Sequence, residues 1–81
     1  MRRTEVLARL PMVLGYSREE AAAAIGVSAT MFDDLVRDSV MPAPRMLKSR
    51  RVWDVDELRA SFKALPRPDE SDEEADSWAG V

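Results

Sequence analysis

Residues 17–28, SREEAAAAIGVS, decide the fold of this 81-residue chain. Ser17 is a good N-cap, and Glu20, three positions later, completes the capping-box pattern that opens a helix. Gly26 tolerates the backbone turn with which a helix reverses direction, so the helix is predicted to end there. Its spacing places one set of apolar residues on a single side: Ala21, Ala24 and Ile25.

A second helix begins directly after this turn. Val27 is predicted to be buried, and Ser28 is a second N-cap. The following residues 29–39, ATMFDDLVRDS, have an apolar face at helical spacing, formed by Phe32, Leu35 and Val36. Two helices joined by a short turn that contains glycine form a helix-turn-helix.

A short hairpin is predicted after the second helix. The prolines of MPAP, residues 41–44, block continued helix and favour an extended path. Residues Arg45–Leu47 and Arg50–Trp53 then read as two strands around a Lys48-Ser49 turn, which is the right loop length for a hairpin. Neither turn residue favours positive φ, so the turn type stays open.

The last helix is predicted from a repeat of the capping logic, with Asp54 as N-cap and Glu57 three positions later. Residues 55–65, VDELRASFKAL, carry an apolar face of Val55, Leu58, Phe62 and Leu65. Trp53 is expected to pack under the hairpin against this helix. The methionines at three positions are expected to fill the core: Met31, Met41 and Met46. The fold class is therefore mainly α with a small β-hairpin.

Two flanking segments complete the predicted organisation. Residues 1–15 form an N-terminal segment in which Arg2–Leu10 is expected to be a short helix, stopped near Pro11, that either covers the core or contacts a neighbouring copy. Residues 66–81, PRPDESDEEADSWAGV, hold six acids and few apolar groups, which predicts a disordered tail. Trp78 in this tail is either incidental or a docking anchor.

Composition excludes several classes of function. The chain has no Cys and no His, so disulfides, thiolate metal sites and the commonest general base are excluded. No nucleophile elbow, phosphate-binding Gly loop or calcium loop is present. We expect no enzyme activity, no catalytic residue, no metal and no cofactor. The most apolar run, residues 6–16, is interrupted by Arg9 and Pro11. We therefore expect no membrane contact and a cytoplasmic location.

The charge of the chain is divided between two regions. Residues 1–65 hold 11 Lys/Arg against 9 Asp/Glu, a net +2, whereas residues 66–81 hold one Arg against 6 acids, a net −5. Between Ser39 and Trp53 there is no acid, which makes the hairpin a candidate wing that lies along a phosphate backbone. The alternative is a solvated edge hairpin that its charges keep from aggregating. The candidate wing residues are Arg45, Lys48, Ser49, Arg50 and Arg51.

These motifs, in this order, resemble a known family. The segments SREEAAAAIGVS, MPAP and RRVWDVDEL look like the MerR-like winged helix-turn-helix of phage excisionases and AlpA-type regulators. The resemblance covers residues 16–65, which defines the predicted DNA-binding domain. It implies that the helix after Ser28 enters the major groove of DNA while the hairpin touches the adjacent minor groove or backbone.

Carried onto this sequence, the resemblance implies a set of groove-facing positions. Ser28 and Thr30 would reach phosphates or base edges at a helix N-terminus. Asp33 would accept from a cytosine amino group, and Arg37 would contact phosphate. Three aspartates stand on this helix against one arginine, which disfavours contact with phosphates and leaves much of the attraction to the hairpin. The full set is Ser28, Ala29, Thr30, Asp33 and Arg37.

The resemblance also implies a role. An excisionase, or recombination directionality factor, would load cooperatively beside other copies of itself on double-stranded DNA and bend an attachment site. This would help a separate integrase, inside a bacterial or phage-infected cell near the nucleoid. The alternatives are an AlpA-like transcriptional regulator, or a protein-interaction module such as an adaptor, antirepressor or antitoxin. The acidic tail either solubilises the protein or competes with phosphate for the wing.

Overall fold

The computed structural model describes residues 2–10 and 12–68, and the predictions for the acidic tail and Trp78 fall on residues 69–81, outside the described ones. The described chain is a small mixed α/β fold with four helices and a three-stranded antiparallel sheet. The elements in chain order are α1 (Arg3–Arg9), β1 (Gly15–Tyr16), α2 (Arg18–Ile25), α3 (Ala29–Arg37), β2 (Arg45–Leu47), β3 (Arg50–Asp54) and α4 (Val55–Lys63). None of these helices has the length and apolar character needed to cross a membrane.

The boundaries of α2 are those that its sequence predicts. The hydroxyl of Ser17 accepts from the N–H of Glu20 at 3.2 Å, and the Glu20 carboxylate accepts from the N–H of Ser17 at 2.8 Å. The predicted capping box is therefore confirmed. At the other end Gly26 has φ 89°, which confirms the predicted reversal, and the N–H of Val27 returns to the carbonyl of Ala22 at 3.0 Å.

Helix α3 ends two residues before its predicted end. Ser39 adopts φ 62°, a left-handed conformation. Its N–H donates to Val36, and the N–H of Val40 donates to Leu35 at 2.8 Å, which is the Schellman pattern with serine in the usual place of glycine. This reversal brings Met41 back into the core, where it is buried.

The predicted hairpin is confirmed, with Met46 opposite Arg51 and Leu47 opposite Arg50. In its turn Lys48 has φ 58° while Ser49 is not among the positive-φ residues, the sign pattern of a type II′ turn. The structure adds a third strand that the sequence pattern does not predict. Strand β1 pairs with the other edge of β3, so the strand order is β1-β3-β2.

Strand β1 approaches β3 closely because of one glycine. Gly15 lies opposite Asp54, and a Cβ at Gly15 would overlap Cγ1 of Val52. The N–H of Val55 extends the pairing by donating to the carbonyl of Leu14 at 3.0 Å. This strand satisfies backbone groups of β3 that would otherwise stand at an open edge.

The core lies between α2, α3, β3 and α4. Its buried side chains are Ala21, Ala22, Phe32, Met41, Trp53 and Leu58. Phe32 and Trp53 meet edge to face, with ring centroids 5.1 Å apart and planes inclined by 72°. Trp53 also donates from Nε1 to the carbonyl of Pro42 at 2.8 Å, so its one polar group is satisfied inside the fold. The prediction of a packed tryptophan under the hairpin is confirmed, with α3 supplying its aromatic partner.

Two of the three methionines predicted to fill the core do not. Met31 is 49 % exposed and Met46 is 60 % exposed. Met31 precedes the buried Phe32 by one residue, a rotation of about 100° around the helix axis that takes it off the core face. Met46 lies opposite Arg51 on the part of the hairpin that extends beyond the core.

The predicted packing of the first two helices also needs correction. In α2 the second buried alanine is Ala22, and Ala24 is exposed. In α1 no residue is buried, so the apolar side chains of Val6, Leu7 and Leu10 do not cover the core. Helix α1 is held instead by Arg3, whose guanidinium donates to both carboxylate oxygens of Glu20 at 2.7 and 2.8 Å.

Candidate nucleic-acid interface

A groove runs between α3 and the β2–β3 hairpin. Strand alternation places Arg51 on the same face of β3 as Trp53, and the packing of Trp53 on Phe32 turns that face toward α3. Arg18, the first residue of α2, lies at the same groove. The groove is lined by Arg18, Asp33, Val36, Arg37, Arg51 and Trp53.

The two neighbouring arginines of the hairpin lie on different faces. Arg50 stands opposite Leu47 and Arg51 opposite Met46, so their side chains point to opposite sides of the sheet. Only Arg51 joins the groove beside α3. Lys48, Ser49 and Arg50 are exposed around the turn, and the tip also exposes Met46 and Leu47.

Asp33 is held by two hydrogen bonds from one guanidinium. Arg18 donates from Nε at 2.8 Å and from Nη2 at 2.7 Å to the two carboxylate oxygens. These bonds lower the pKa of Asp33, and the positive charges of Arg37 and Arg51 lower it further. The same pair raises the pKa of Arg18. Each carboxylate oxygen of Asp33 thus accepts one bond from Arg18, and its role as acceptor for a cytosine amino group stays a prediction.

The remaining positions predicted on α3 divide by exposure. Ser28 is exposed, and its hydroxyl accepts from the N–H of Met31 at 3.1 Å, which leaves its own O–H available. Thr30 is exposed on the first turn. Ala29 is half-buried, with one side packed against the core. Arg37 is exposed and forms an ion pair with Asp34.

Arg45 differs from the other predicted wing residues. Its guanidinium contacts Asp54 at 3.1 Å and Glu57 at 2.8 Å, both at the start of α4. The pKa of Asp54 is lowered, first by the backbone N–H of Glu57 and then by Arg45. Arg45 therefore fastens the hairpin to α4, and its charge is balanced there. The contact of Arg45 with DNA as a wing residue stays a prediction, and in the structure its guanidinium pairs with Asp54 and Glu57.

The net positive charge of this surface comes from the hairpin. Among residues 2–10 and 12–68, no carboxylate lies within ion-pair distance of Lys48, Arg50 or Arg51. On the helices, by contrast, Arg18 and Arg37 are each matched by an aspartate. The structure thus brings together Asp33, Arg37 and Arg51 of the predicted residues and sets Arg45 apart from them.

Arg18 is the member of the groove that the sequence reading missed. It lies 15 residues from Asp33, a separation that no local pattern detects. The available signal was its position as the first residue of α2, because the first helix of the predicted helix-turn-helix is expected to cross the DNA backbone.

No group of three or more His, Cys, Asp or Glu side chains within the described ranges is arranged to hold a metal ion. Scans of the chain against protein-family models, curated proteins and solved structures returned no significant match. The resemblance to excisionases and AlpA-type regulators therefore stays a prediction.

Proposed function

We propose that α2, α3 and the β2–β3 hairpin act as a winged helix-turn-helix, and that the protein binds double-stranded DNA sequence-specifically without catalysis or a cofactor. The observation that carries this proposal is the gathering of three arginines, Arg18, Arg37 and Arg51, along one groove beside a cationic hairpin tip. In such a groove the hairpin tip and Arg51, which pairs with no carboxylate of the described residues, are available to phosphates, and the ion-paired arginines of the helices lie beside them.

In this proposal the parts have separate tasks. Ser28 and Thr30 meet DNA at the N-terminus of α3, where the helix dipole favours phosphate. Lys48, Arg50 and Arg51 supply the electrostatic attraction, since the helix arginines are already matched by aspartates. Asp33 acts as a positioning residue that holds the Arg18 guanidinium at the groove.

The simpler alternative of a solvated edge hairpin leaves the hairpin tip unexplained. Charges alone suffice to protect an edge strand. Met46 and Leu47 nevertheless expose 60 % and 65 % of their surface beside Lys48. Apolar side chains flanked by cations suit the minor groove of DNA, where the apolar groups meet sugars and bases and the cations meet phosphates.

The biological role that we propose is that of an excisionase, with transcriptional regulation of AlpA type as the alternative. A single small module buries only about 600–1,000 Å² of protein surface on DNA, so one copy binds loosely. Several copies side by side would gain affinity and bend the site, and bending costs a few kcal/mol that added contacts offset. An integrase would then act on the bent attachment site.

The test is a mobility-shift titration with the gene's own upstream region and the nearest candidate attachment site, beside random DNA of equal length. We expect laddered, cooperative shifts on one fragment. Arg51→Ala should weaken binding by about tenfold, because it removes a charge-assisted contact. Arg9→Ala is the matched control, since it removes an exposed arginine from α1 and should leave binding unchanged. Equal, weak binding to all fragments at low salt would refute the proposal.

A protein-interaction module is the second candidate, and one observation favours it. Phe62 and three residues before β1 expose large apolar surfaces, namely Leu10, Met12 and Leu14. For an adaptor, antirepressor or antitoxin, deletion of residues 66–81 should impair function more than the double change Arg50→Ala and Arg51→Ala. For a DNA-binding protein the order should be the reverse.

A further inference from the structure

A second groove lies between α2 and α4 and shares no residue with the groove beside α3. It encloses about 220 Å³ and is lined by apolar side chains with one cation at its edge: Tyr16, Ala24, Ile25, Val55, Leu58, Phe62 and Arg59. Phe62 is 47 % exposed although it belongs to the apolar face of α4. The groove is thus an apolar surface that the described residues leave open.

This groove continues into a larger apolar surface. Tyr16, Val55 and Arg59 also line a neighbouring cleft, whose other residues are Leu10, Met12, Val13, Leu14 and Asp56. Met12 is 68 % exposed and Leu14 is 74 % exposed. A contiguous apolar surface of this kind on a small domain marks an interaction site.

The edge of the groove is cationic. Arg59 and Lys63 lie one turn apart on α4, and Arg67 follows the helix. Within the described ranges no carboxylate pairs with any of these three side chains. The surface therefore suits an acidic segment that also carries an apolar anchor.

The chain itself contains such a segment. All 12 Lys/Arg and 9 of the 15 Asp/Glu lie before residue 69, a net +3. Residues 69–81 carry the other 6 acids, no cation and one aromatic residue, Trp78. The opposite charges of these two parts favour their association.

The point at which the chain leaves α4 makes the contact reachable. Phe62, Lys63, Leu65, Pro66 and Arg67 line a common cleft, so the chain departs beside the groove. Trp78 lies ten residues beyond Pro68, and ten extended residues span at most about 35 Å. A short connection also keeps the entropic cost of closing the loop low.

We propose that residues 69–81 dock on the α2/α4 groove of the same molecule, with Trp78 against Phe62 and the acids facing Arg59, Lys63 and Arg67. This places the acidic segment on a surface separate from the hairpin. It therefore differs from a competition with phosphate for the wing, and it does not rest on the proposed function.

The test uses ¹⁵N-labelled full-length protein without DNA and compares it with Trp78→Ala. We expect amide shifts confined to the groove, at Tyr16, Ile25, Val55 and Phe62. Arg59→Glu and Lys63→Glu, each alone, should shift the Trp78 indole signal toward that of a solvated indole, and added salt should do the same. Arg9→Glu is the charge-matched control. The Trp53 indole signal, fixed by its bond to Pro42, reports that every variant is folded.

Two outcomes would overturn the proposal. If Trp78→Ala changed no amide chemical shift outside residues 69–81, the segment would not occupy the groove. Shifts that appear only as protein concentration rises would assign the groove to the segment of a second copy. Because DNA is absent, a failure of DNA binding leaves this experiment unaffected.

Discussion

Glu20 of α2 links the start of its own helix to α1 through one carboxylate. It accepts from the N–H of Ser17, which caps α2, and from the guanidinium of Arg3 on α1. The Arg3 hydrogen bonds, with the Ser17 N–H, lower the pKa of Glu20 from 4.5 to about 2, against the opposing effect of burial. A folded-state pKa below the usual value means that these contacts stabilise the protein above pH about 4.5 and are lost as the pH falls toward 2.

Glu20→Gln tests this linkage. Glutamine keeps the cap but loses the charge, so the free energy of unfolding should fall by about 1 kcal/mol at neutral pH. The difference between variant and wild type should shrink as the pH falls through 2 and disappear below it, where the wild-type carboxyl is protonated. Urea unfolding at a series of pH values measures it. Glu5→Gln, which breaks no ion pair of the described residues, is the control, and a difference that persists at low pH would contradict the assignment.

At the scale of elements, the hairpin is attached through its first strand as well as through β3. Arg45 on β2 reaches Asp54, the N-cap of α4, and Glu57 in its first turn. Asp54 also caps α4, since its side chain accepts from the N–H of Glu57 at 3.0 Å, while the Glu57 carboxylate accepts from Arg45. The orientation of the hairpin therefore depends on an ion-pair cluster at the start of the last helix.

Arg45→Ala and Arg51→Ala should consequently have different effects. Arg45→Ala should lower the free energy of unfolding by up to about 1 kcal/mol, as expected for exposed ion pairs. It should weaken DNA binding less than Arg51→Ala, which should leave stability nearly unchanged. Urea unfolding and fluorescence anisotropy with labelled DNA measure the two effects. If both variants lost affinity equally and kept their stability, Arg45 would have to contact DNA directly.

The elements that the sequence predicted are those whose signals are local. The capping box at Ser17, the turn at Gly26 and the hairpin around Lys48-Ser49 each depend on residues within a few positions of one another. Strand β1 could not be predicted, because two residues carry no alternation and its pairing depends on the missing Cβ of Gly15.

The site residues also divide into those with a local signal in the sequence and those whose contacts depend on the tertiary arrangement. The charge of Arg51 marked it as a wing residue, and alternation along β3 then fixed its face. The sign of a charge does not identify its partner, so the pairing of Arg45 with α4 and of Arg18 with Asp33 required the tertiary arrangement. Met31 and Met46 were misplaced because methionine occurs in cores and on surfaces alike.

At the scale of the whole molecule, the distribution of charge matters more than its sum. The chain has a formal charge of −3, yet residues before 69 have a net charge of +3. An acidic isoelectric point thus does not argue against a nucleic-acid partner here, because the acids are concentrated in one segment. Binding should depend steeply on salt, since phosphate contacts release counterions.

The salt dependence of DNA affinity measures how many phosphate contacts the hairpin makes. Lys48→Ala and Arg50→Ala should each reduce the slope of log affinity against log salt by about one. Affinity should fall equally on specific and random DNA, because the proposed function assigns these residues to phosphate contacts. Arg9→Ala should keep the wild-type slope. Unchanged slopes in both hairpin variants would show that the hairpin tip does not contact the DNA phosphates.

The junction between β3 and α4 has a mechanical consequence. Asp54 is the last residue of the strand and the N-cap of the helix, so no connecting residue separates them. One residue inserted after Asp54 would rotate α4 by about 100° and turn Leu58 out of the core, although no charge would change. The direct junction at Asp54 therefore fixes the orientation of the α2/α4 groove relative to the groove beside α3.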